Sequence, residues 1–220
     1  MSGPRVRKLA GFGLAAGLLA ASYPSLLRNT CLNWGATPGE VARTIRGDEL
    51  NPDADEVTTR AITIAAPPDR IWPWLVQMGS GRGGAYSYDW IENLFGLNMH
   101  SADKILPRFQ GVHLGDEIPM GPNGPVLRVA VLEPEQVFAV QTGDGNWVWI
   151  FALYPENGVT RLVSRNRIRI PAGSAIPRAA WAVVMEPGSL IMERKMLRGI
   201  KERAERLATV GRSAQCVGSR

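Results

Sequence analysis

Cysteine and histidine are scarce in this sequence. Its 220 residues include two cysteines, Cys31 and Cys216, near opposite ends of the chain, and two histidines, His100 and His113. Two cysteines so far apart exclude a disulfide scaffold and a cysteine-rich zinc site, and two histidines leave few ligands for any other metal. We therefore expect neither a metal site nor a cofactor.

A complete phosphate-binding motif is also lacking. The glycine-rich loop at 79–84 reads GSGRGG, without the Lys-Ser/Thr pair of a P-loop, and it follows a predicted helix, whereas a dinucleotide fingerprint follows a strand. We expect this loop to be the entrance of a binding site or a plain turn. Its charged residue, Arg82, would either bind a ligand carboxylate or phosphate, or form a surface salt bridge or a cap.

Charge is moderate in amount and uneven along the chain. Charged residues make up 20% and hydrophobic residues 45% of the sequence, which excludes a wholly disordered or polytopic membrane protein. The net charge of +5 divides into +4 for residues 1–30, −4 for residues 31–192 and +5 for residues 193–220. Because the middle of the chain is acidic, we do not expect a nucleic-acid partner. The basic ends suit an anionic membrane surface.

The amino end carries a hydrophobic segment. Residues 9–27 contain no charge, follow three basic residues within 1–8 and precede Arg28. The segment is just long enough to cross a hydrocarbon layer of about 30 Å. It is an uncleaved membrane anchor, a cleaved signal peptide, or an amphipathic or buried terminal helix. The basic flank favours a cytoplasmic amino terminus, a membrane-associated chain and an extracytoplasmic domain.

The chain length allows one domain of ordinary size and excludes two typical enzyme domains. We divide the chain into an anchor or signal segment at 1–30, a connector at 31–55, a folded domain at 56–210 and a flexible tail at 211–220. The connector is rich in glycine, proline and acidic residues and shows no sustained hydrophobic period.

Within the domain, the hydrophobic pattern predicts a strand, two helices, an antiparallel meander and a long helix. The first strand, 57–64, ends at two prolines that begin a helix over 69–78. A short aromatic helix follows near 87–96. Four more strands, separated by hairpin-length turns, and an amphipathic helix complete the domain. Those elements are 126–132, 136–142, 147–154, 160–170 and 188–210.

This order of elements is that of the helix-grip fold, an α+β fold in which a curved antiparallel sheet wraps around a long C-terminal helix. Its most specific segments here are ITIAAPPDRIWPWLVQMG at the front and MERKMLRGIKERAE at the end. On these segments, residues 56–207 resemble the SRPBCC superfamily, which includes START-like lipid-transfer domains, Bet v-type plant allergens and polyketide cyclases. A further segment, GRGGAYSYDWIENL, is similar to one in uncharacterised actinobacterial members.

The resemblance implies a cavity between the sheet and the C-terminal helix that holds an apolar or amphipathic small molecule, lipid-like or polyketide-like. We expect binding or transport of such a molecule without chemistry. An alternative is a cyclase or dehydratase that uses acid and base groups in the same cavity, and a third is an interaction module with a filled core. All three stay open because the superfamily spans binding, transfer and catalysis.

Candidate site residues follow from the aromatic and polar side chains on the elements around that cavity. The predicted ligand-binding residues are Trp74, Arg82, Tyr86, Tyr88, Trp90, Trp147, Trp149, Phe151, Ser164, Asn166 and Met196. For an enzyme, the acid and base candidates are Asp89, Glu92 and His100, with Tyr86 beside them. Against catalysis, neighbouring carboxylates on a short helix commonly cap it or remain solvated, and no serine or cysteine nucleophile stands in a recognisable context.

The last two strands differ in their pattern. Residues 147–154 are apolar on both faces, so something covers both sides or the strand is central. In 160–170, one face carries arginines at 161, 165, 167 and 169, and the other carries Leu162, Ser164 and Asn166. We expect the arginine face to contact solvent. Ser164 and Asn166 would then point inward, where each needs a hydrogen-bond partner.

Overall fold

The structure is a computed structural model that describes residues 28–170 and 184–218. The hydrophobic segment 9–27 lies outside the described residues, so its predicted role as anchor or signal stays a prediction. Within the described part of the chain, no helix combines the length and the apolar character needed to cross a membrane.

Six strands form one antiparallel sheet in the order β1-β6-β5-β4-β3-β2. The strands are β1 (Glu56–Ile64), β2 (Glu117–Pro119), β3 (Val126–Glu133), β4 (Val137–Thr142), β5 (Trp147–Glu156) and β6 (Val159–Ile168). The predicted meander is therefore confirmed, and the three-residue β2 was not predicted because so short a strand leaves no alternating pattern. The hairpin between β5 and β6 turns at Asn157 and Gly158, whose φ angles of 45° and 84° are those of a tight type I′ turn.

The helices are short apart from the last. They are α1 (Arg28–Leu32), α2 (Pro38–Ala42), α3 (Pro68–Val76), α4 (Asp89–Leu94) and α5 (Glu186–Gly218), with 3₁₀ turns at Asp48–Leu50 and Pro107–Phe109. Helix α3 begins at a proline, which needs no hydrogen-bond donor there. Helix α5 extends past the predicted end near residue 210, and its buried apolar residues include Met196, Leu197, Ile200, Ala204 and Ala208.

Helix α5 packs on one face of the sheet, and this contact forms the main core. Its buried residues Met196, Leu197 and Ile200 join Trp149 and Phe151 of β5 in one hydrophobic cluster. A sheet that packs a long C-terminal helix on one face is the helix-grip arrangement, so the predicted fold is confirmed. The alternation of β5 directs its other side chains to the opposite face.

The opposite face of the sheet is covered by the segment before β1. Ile45 packs there against Val148, Ile150 and Val163 in a second, smaller cluster. Both faces of β5 are therefore buried, as its apolar pattern predicted. Residues 31–55, interpreted above as a connector, carry α2 and a 3₁₀ turn and form a cover over this face.

The prediction that the arginine face of β6 contacts solvent is wrong. Arg165 is only 2% exposed, and Arg161 pairs with Glu40 of α2 at 2.6 Å. Arg167 donates from Nε to the carbonyl of Asn51 at 2.8 Å, whereas the side chain of Arg169, near the end of the strand, stays 44% exposed. The cover segment can bury these guanidinium groups because it supplies carboxylates and free carbonyls to them.

Candidate ligand cavity

A cavity of about 410 Å³ lies between the sheet and the first turns of α5. Strands β1, β5 and β6 form its floor, and α4, α5 and the loops beside them form its walls. Its lining consists of Glu56, Thr58, Arg60, Ala85, Ser87, Glu92, Met120, Trp147, Trp149, Asn166, Ile168, Met185, Ser189, Met192, Glu193 and Met196.

Two tryptophans on β5 form the apolar floor. The rings of Trp147 and Trp149 stack with their centroids 5.8 Å apart, because alternate residues of a strand share one face. Each indole N–H is satisfied by β6: Trp147 donates to Oδ1 of Asn166 and Trp149 donates to Oγ of Ser164, both at 2.9 Å. The inward orientation predicted for Ser164 and Asn166 is therefore confirmed. These bonds fix the rings, and the ring of Trp149 also lies against that of Phe151, with the centroids 4.8 Å apart.

A buried ion pair joins β1 to α5 at the cavity. Arg60, with no exposed surface, pairs with Glu193, and its guanidinium also donates to the carbonyl of Cys31 and to Oγ of Ser189. Asn166 donates from Nδ2 to Oε2 of Glu193 at 3.2 Å. Such a network holds its members in one geometry because any unpaired member would be a buried, desolvated polar group.

Two carboxylate oxygens at the cavity remain unsatisfied. Among the residues that the structure describes, neither Oε1 of Glu193 nor Oε2 of Glu92 has a hydrogen-bond partner, and both atoms are buried. Each of the two residues is only 7% exposed. Buried polar atoms without partners are rare in folded proteins and are costly unless another molecule satisfies them.

Glu92 is also electrostatically unusual. Burial raises the pKa of Glu92, and the nearby carboxylate of Asp89 raises it further, while a hydrogen bond from Ser87 opposes both effects. Asp89 itself is occupied, since its two oxygens accept hydrogen bonds from the amide and the hydroxyl of Ser101 at 2.8 and 2.6 Å. A carboxyl group in this setting holds its proton to a higher pH than a solvated one and can donate it to a bound molecule.

The structure brings some of the predicted site residues together at the cavity. Five of them belong to its lining: Trp147, Trp149, Asn166, Met196 and Glu92. Ser164 is not part of the lining, but its hydroxyl oxygen accepts a hydrogen bond from the indole N–H of Trp149, which is part of it.

Other predicted site residues lie elsewhere. Trp74, Tyr86 and Phe151 are buried in the main core. The hydroxyl of Tyr86 donates to the carbonyl of Trp74 at 3.0 Å, and burial raises the pKa of Tyr86 above its ordinary value. Arg82 donates to the carbonyls of Val76 and Met78 at 2.8 and 3.0 Å, so it caps the end of α3, which was the alternative considered for it.

The remaining candidates lie at the surface or in supporting positions. Trp90 is 70% exposed, and His100 is exposed and contacts Asn98. Tyr88 is half-buried and precedes the first turn of α4, outside the cavity lining. Of the four acid and base candidates, only Glu92 reaches the cavity.

Arg60 and Glu193 were not among the predicted site residues, although the sequence pattern around each one indicated a buried charge. Arg60 lies on the same face of β1 as Ile62 and Ile64, so the sequence places a charged residue on a face expected to point inward. Glu193 precedes Met196 by three residues and Leu197 by four, which places it on the buried stripe of α5. A charge at such a position calls for a buried partner, and each residue is the other's partner.

Comparison with known proteins yields similarity of structure alone. No family model matches the chain, and no curated protein matches it. Among solved structures, the chain is similar to the Polyketide_cyc-like protein Cgl2372 from Corynebacterium glutamicum, with 18% identity, 72% of this chain and 93% of that chain covered, and a TM-score of 0.35. It is also similar to protein MLL2253 from Mesorhizobium loti, with 16% identity, 69% and 98% covered, and a TM-score of 0.40.

A third similar structure is the Aha1 dimer from Colwellia psychrerythraea, with 17% identity, 61% of this chain and 92% of that chain covered, and a TM-score of 0.35. The resemblance of this chain to the SRPBCC superfamily stays a prediction. The domain has the helix-grip fold. The likeness is one of fold, and a relation to actinobacterial members stays a prediction.

The described part of the helix-grip domain holds no cluster of histidine, cysteine and acidic side chains suited to a metal ion.

Proposed function

We propose that this protein binds an apolar or amphipathic small molecule in the cavity between its sheet and α5. The observation that carries the proposal is the cavity itself. Its volume of about 410 Å³ lies in the range of small-molecule sites, and its tryptophan and methionine walls converge on a few fixed polar groups. A lipid or a polyketide-like compound has the size and character that such a site accepts, and transport of that compound is the expected role.

Fluorescence titration with the neutral apolar dye N-phenyl-1-naphthylamine tests this proposal. We expect saturable binding at one site per chain, lost when Ala85→Phe fills the cavity that Ala85 lines. Ala65→Phe, at an exposed position outside the lining, is the matched control and should bind as the unmodified protein does. Absence of saturable binding, or equal binding by both variants, would contradict the proposal.

A second candidate is a cyclase or dehydratase, favoured by one observation. Glu92 places a buried carboxyl group with a raised pKa at the cavity, as a general acid requires. Molecules extracted from purified protein would distinguish the two functions. A dehydratase should yield product from the unmodified protein and a compound heavier by one water molecule from Glu92→Gln. Identical extracts from both proteins would exclude this reaction.

Membrane attachment through residues 9–27 is part of the proposal. Arg28, the residue after this segment, pairs with Glu186 at 3.0 Å and so lies beside the start of α5. We expect the full chain to sediment with membranes, to resist extraction by high salt and to be released by detergent. A chain beginning at residue 28 should stay in the supernatant. Equal partitioning of the two chains would contradict attachment through this segment.

A further inference from the structure

The unsatisfied oxygen of Glu193 indicates what kind of group a ligand presents. Oε2 of this carboxylate accepts hydrogen bonds from Arg60 and Asn166, whereas Oε1 is buried and, within the described residues, unpartnered. An oxygen in this state accepts a hydrogen bond and cannot donate one while Glu193 is ionised in its ion pair with Arg60. The missing partner is therefore a donor.

Glu92 provides a second buried carboxyl oxygen without a hydrogen-bond partner among the described residues, and it lies on a different helix. Its Oε2 is also buried and without a partner in the part of the chain that the structure describes. Glu92 belongs to α4 and Glu193 to α5, and both line the one cavity. A positive charge beside Glu92 favours its ionised form against the effect of burial, so the two oxygens together define a site for a cationic donor group.

The charges around the cavity favour a cation among the possible donors. In its described lining, Glu92 and Glu193 carry the unsatisfied carboxyl oxygens, Arg60 is the single guanidinium, and there is no lysine or histidine. Arg60 is already engaged by Cys31, Ser189 and Glu193. An anionic ligand would find no free cation among these residues, whereas a cationic ligand would pair with the unsatisfied carboxyl oxygens.

The stacked indoles add a second interaction for the same group. The rings of Trp147 and Trp149 lie at the floor, and both indole N–H groups are already used by β6. Where an indole face borders the cavity, it presents the negative part of the ring quadrupole, which attracts an ammonium group. The methionines at 120, 192 and 196 surround them with apolar, adaptable side chains that suit the body of a ligand.

We infer that the cavity takes an apolar molecule carrying a protonated amine, whose N–H groups donate to Glu193 and Glu92 above the two tryptophan rings. This inference rests on the proposed function and names its ligand class. It excludes a carboxylate-bearing ligand as the preferred occupant.

Isothermal titration calorimetry at pH 7 with three matched probes tests the inference. The probes are 1-naphthylmethylamine, 1-naphthalenemethanol and 1-naphthoate, which share one aromatic body and differ in the charge of one small group. We expect the amine to bind at least about tenfold more tightly than the alcohol, and the carboxylate to bind most weakly, because charge-assisted hydrogen bonds are the stronger ones.

Two variants locate the effect. Glu193→Gln and Glu92→Gln should each lower the affinity for the amine by about tenfold and leave that for the alcohol nearly unchanged. Glu202→Gln, at an exposed position of α5, is the control and should change neither. Circular dichroism checks the fold of Glu193→Gln, whose ion pair is broken. If that variant does not fold, the ranking of the probes and the Glu92→Gln result decide.

The outcomes separate this inference from the function on which it rests. If the alcohol or the carboxylate binds as tightly as the amine, or if Glu92→Gln binds the amine as the unmodified protein does, the amine inference is wrong. If no probe binds while N-phenyl-1-naphthylamine still does, the inference fails and the proposed function stands. If the dye also fails to bind, both are wrong.

Discussion

Nη1 of Arg165, in the middle of β6, lies 2.6 Å from Oδ2 of Asp48 in the segment that precedes β1. The same guanidinium donates from its other nitrogens to the carbonyls of Glu40 and Val41 and to the hydroxyl of Thr59. One buried side chain therefore ties the cover segment to the sheet. The second face of the sheet is closed by polar contacts as well as by Ile45 and its apolar neighbours.

Arg165→Met should strongly destabilise the domain. The substitution keeps an unbranched side chain but leaves Asp48 and the carbonyls of Glu40 and Val41 without their buried donor. Breaking a buried ion pair by removing one partner costs about 3–5 kcal/mol. Urea unfolding followed by tryptophan fluorescence measures the loss.

Arg169→Met is the matched control for this change. Arg169 lies one residue beyond β6 and pairs with Asp53, but the two side chains are 44% and 85% exposed. An exposed pair contributes less than about 1 kcal/mol, so this variant should unfold close to the unmodified protein. Equal losses for the two variants would show that the cover segment is not held by Arg165.

The arginine face shows what strand periodicity can and cannot predict. Alternation along β6 identified which residues share a face, because successive side chains of a strand point to opposite sides. It did not identify what covers that face. Asp48 and Arg165 are 117 residues apart in sequence, and the segment around Asp48 has no hydrophobic period of its own. The meander and the long helix were predictable because each carries its own pattern.

The cavity was predictable in outline and not in its polar end. Trp147, Trp149 and Asn166 were found because they lie on strongly patterned strands. Glu193 was not among the predicted site residues, although it lies on the stripe of Met196, because a charged residue of an amphipathic helix is expected on its solvent side. A buried charge can be predicted only when its partner is known. Here the partners Arg60 and Glu193 come together only where α5 packs on β1.

Gly199→Ala should destabilise the contact between α5 and the loop before α4. A Cβ atom at Gly199 would lie 2.9 Å from Cβ of Tyr86 and closer still to the carbonyl of that residue. Overpacking of a buried contact costs about 1–3 kcal/mol, which outweighs the gain in helix propensity. Thermal unfolding measures the difference.

Gly188→Ala is the control within the same helix. A Cβ atom at Gly188 would meet no atom within 4 Å, so only helix propensity changes. We expect an increase in stability of up to about 1 kcal/mol. If Gly199→Ala were more stable than Gly188→Ala, the backbone of Tyr86 could not approach α5 as closely as the structure shows.

Glu92→Gln should change how stability depends on pH. The pKa of Glu92 is raised in the folded protein above the ordinary value of 4.5, by burial first and by Asp89 second. The folded protein therefore holds this proton more tightly than the unfolded chain does. The resulting stabilisation is present below pH 4.5 and is lost as the pH rises through the raised pKa. The stability of Glu92→Gln relative to the unmodified protein should rise over that interval.

Glu49→Gln provides a control of opposite sign. The pKa of Glu49 is lowered, chiefly by a hydrogen bond from its own backbone amide and also by one from Gly47. The unmodified protein should therefore gain stability relative to Glu49→Gln as the pH rises from below to above that pKa. Urea unfolding of both variants across the acid range measures how the free energy of unfolding, relative to the unmodified protein, changes with pH. Changes of the same sign for the two variants would contradict a raised pKa for Glu92.

The effects of substituting Arg60 and Glu193 on the free energy of unfolding should be coupled. We expect the ion pair to contribute more to ligand binding in the cavity than to net stability. Arg60→Met alone leaves a buried carboxylate unpaired and should cost about 3–5 kcal/mol. Arg60→Met with Glu193→Leu replaces both charges by apolar groups, and such replacements are commonly neutral or stabilising. The double variant should thus unfold near the unmodified protein, which gives a large coupling energy in a double-mutant cycle. A folded double variant that no longer prefers the amine probe would show that the pair serves the ligand, whereas additive losses would show no coupling.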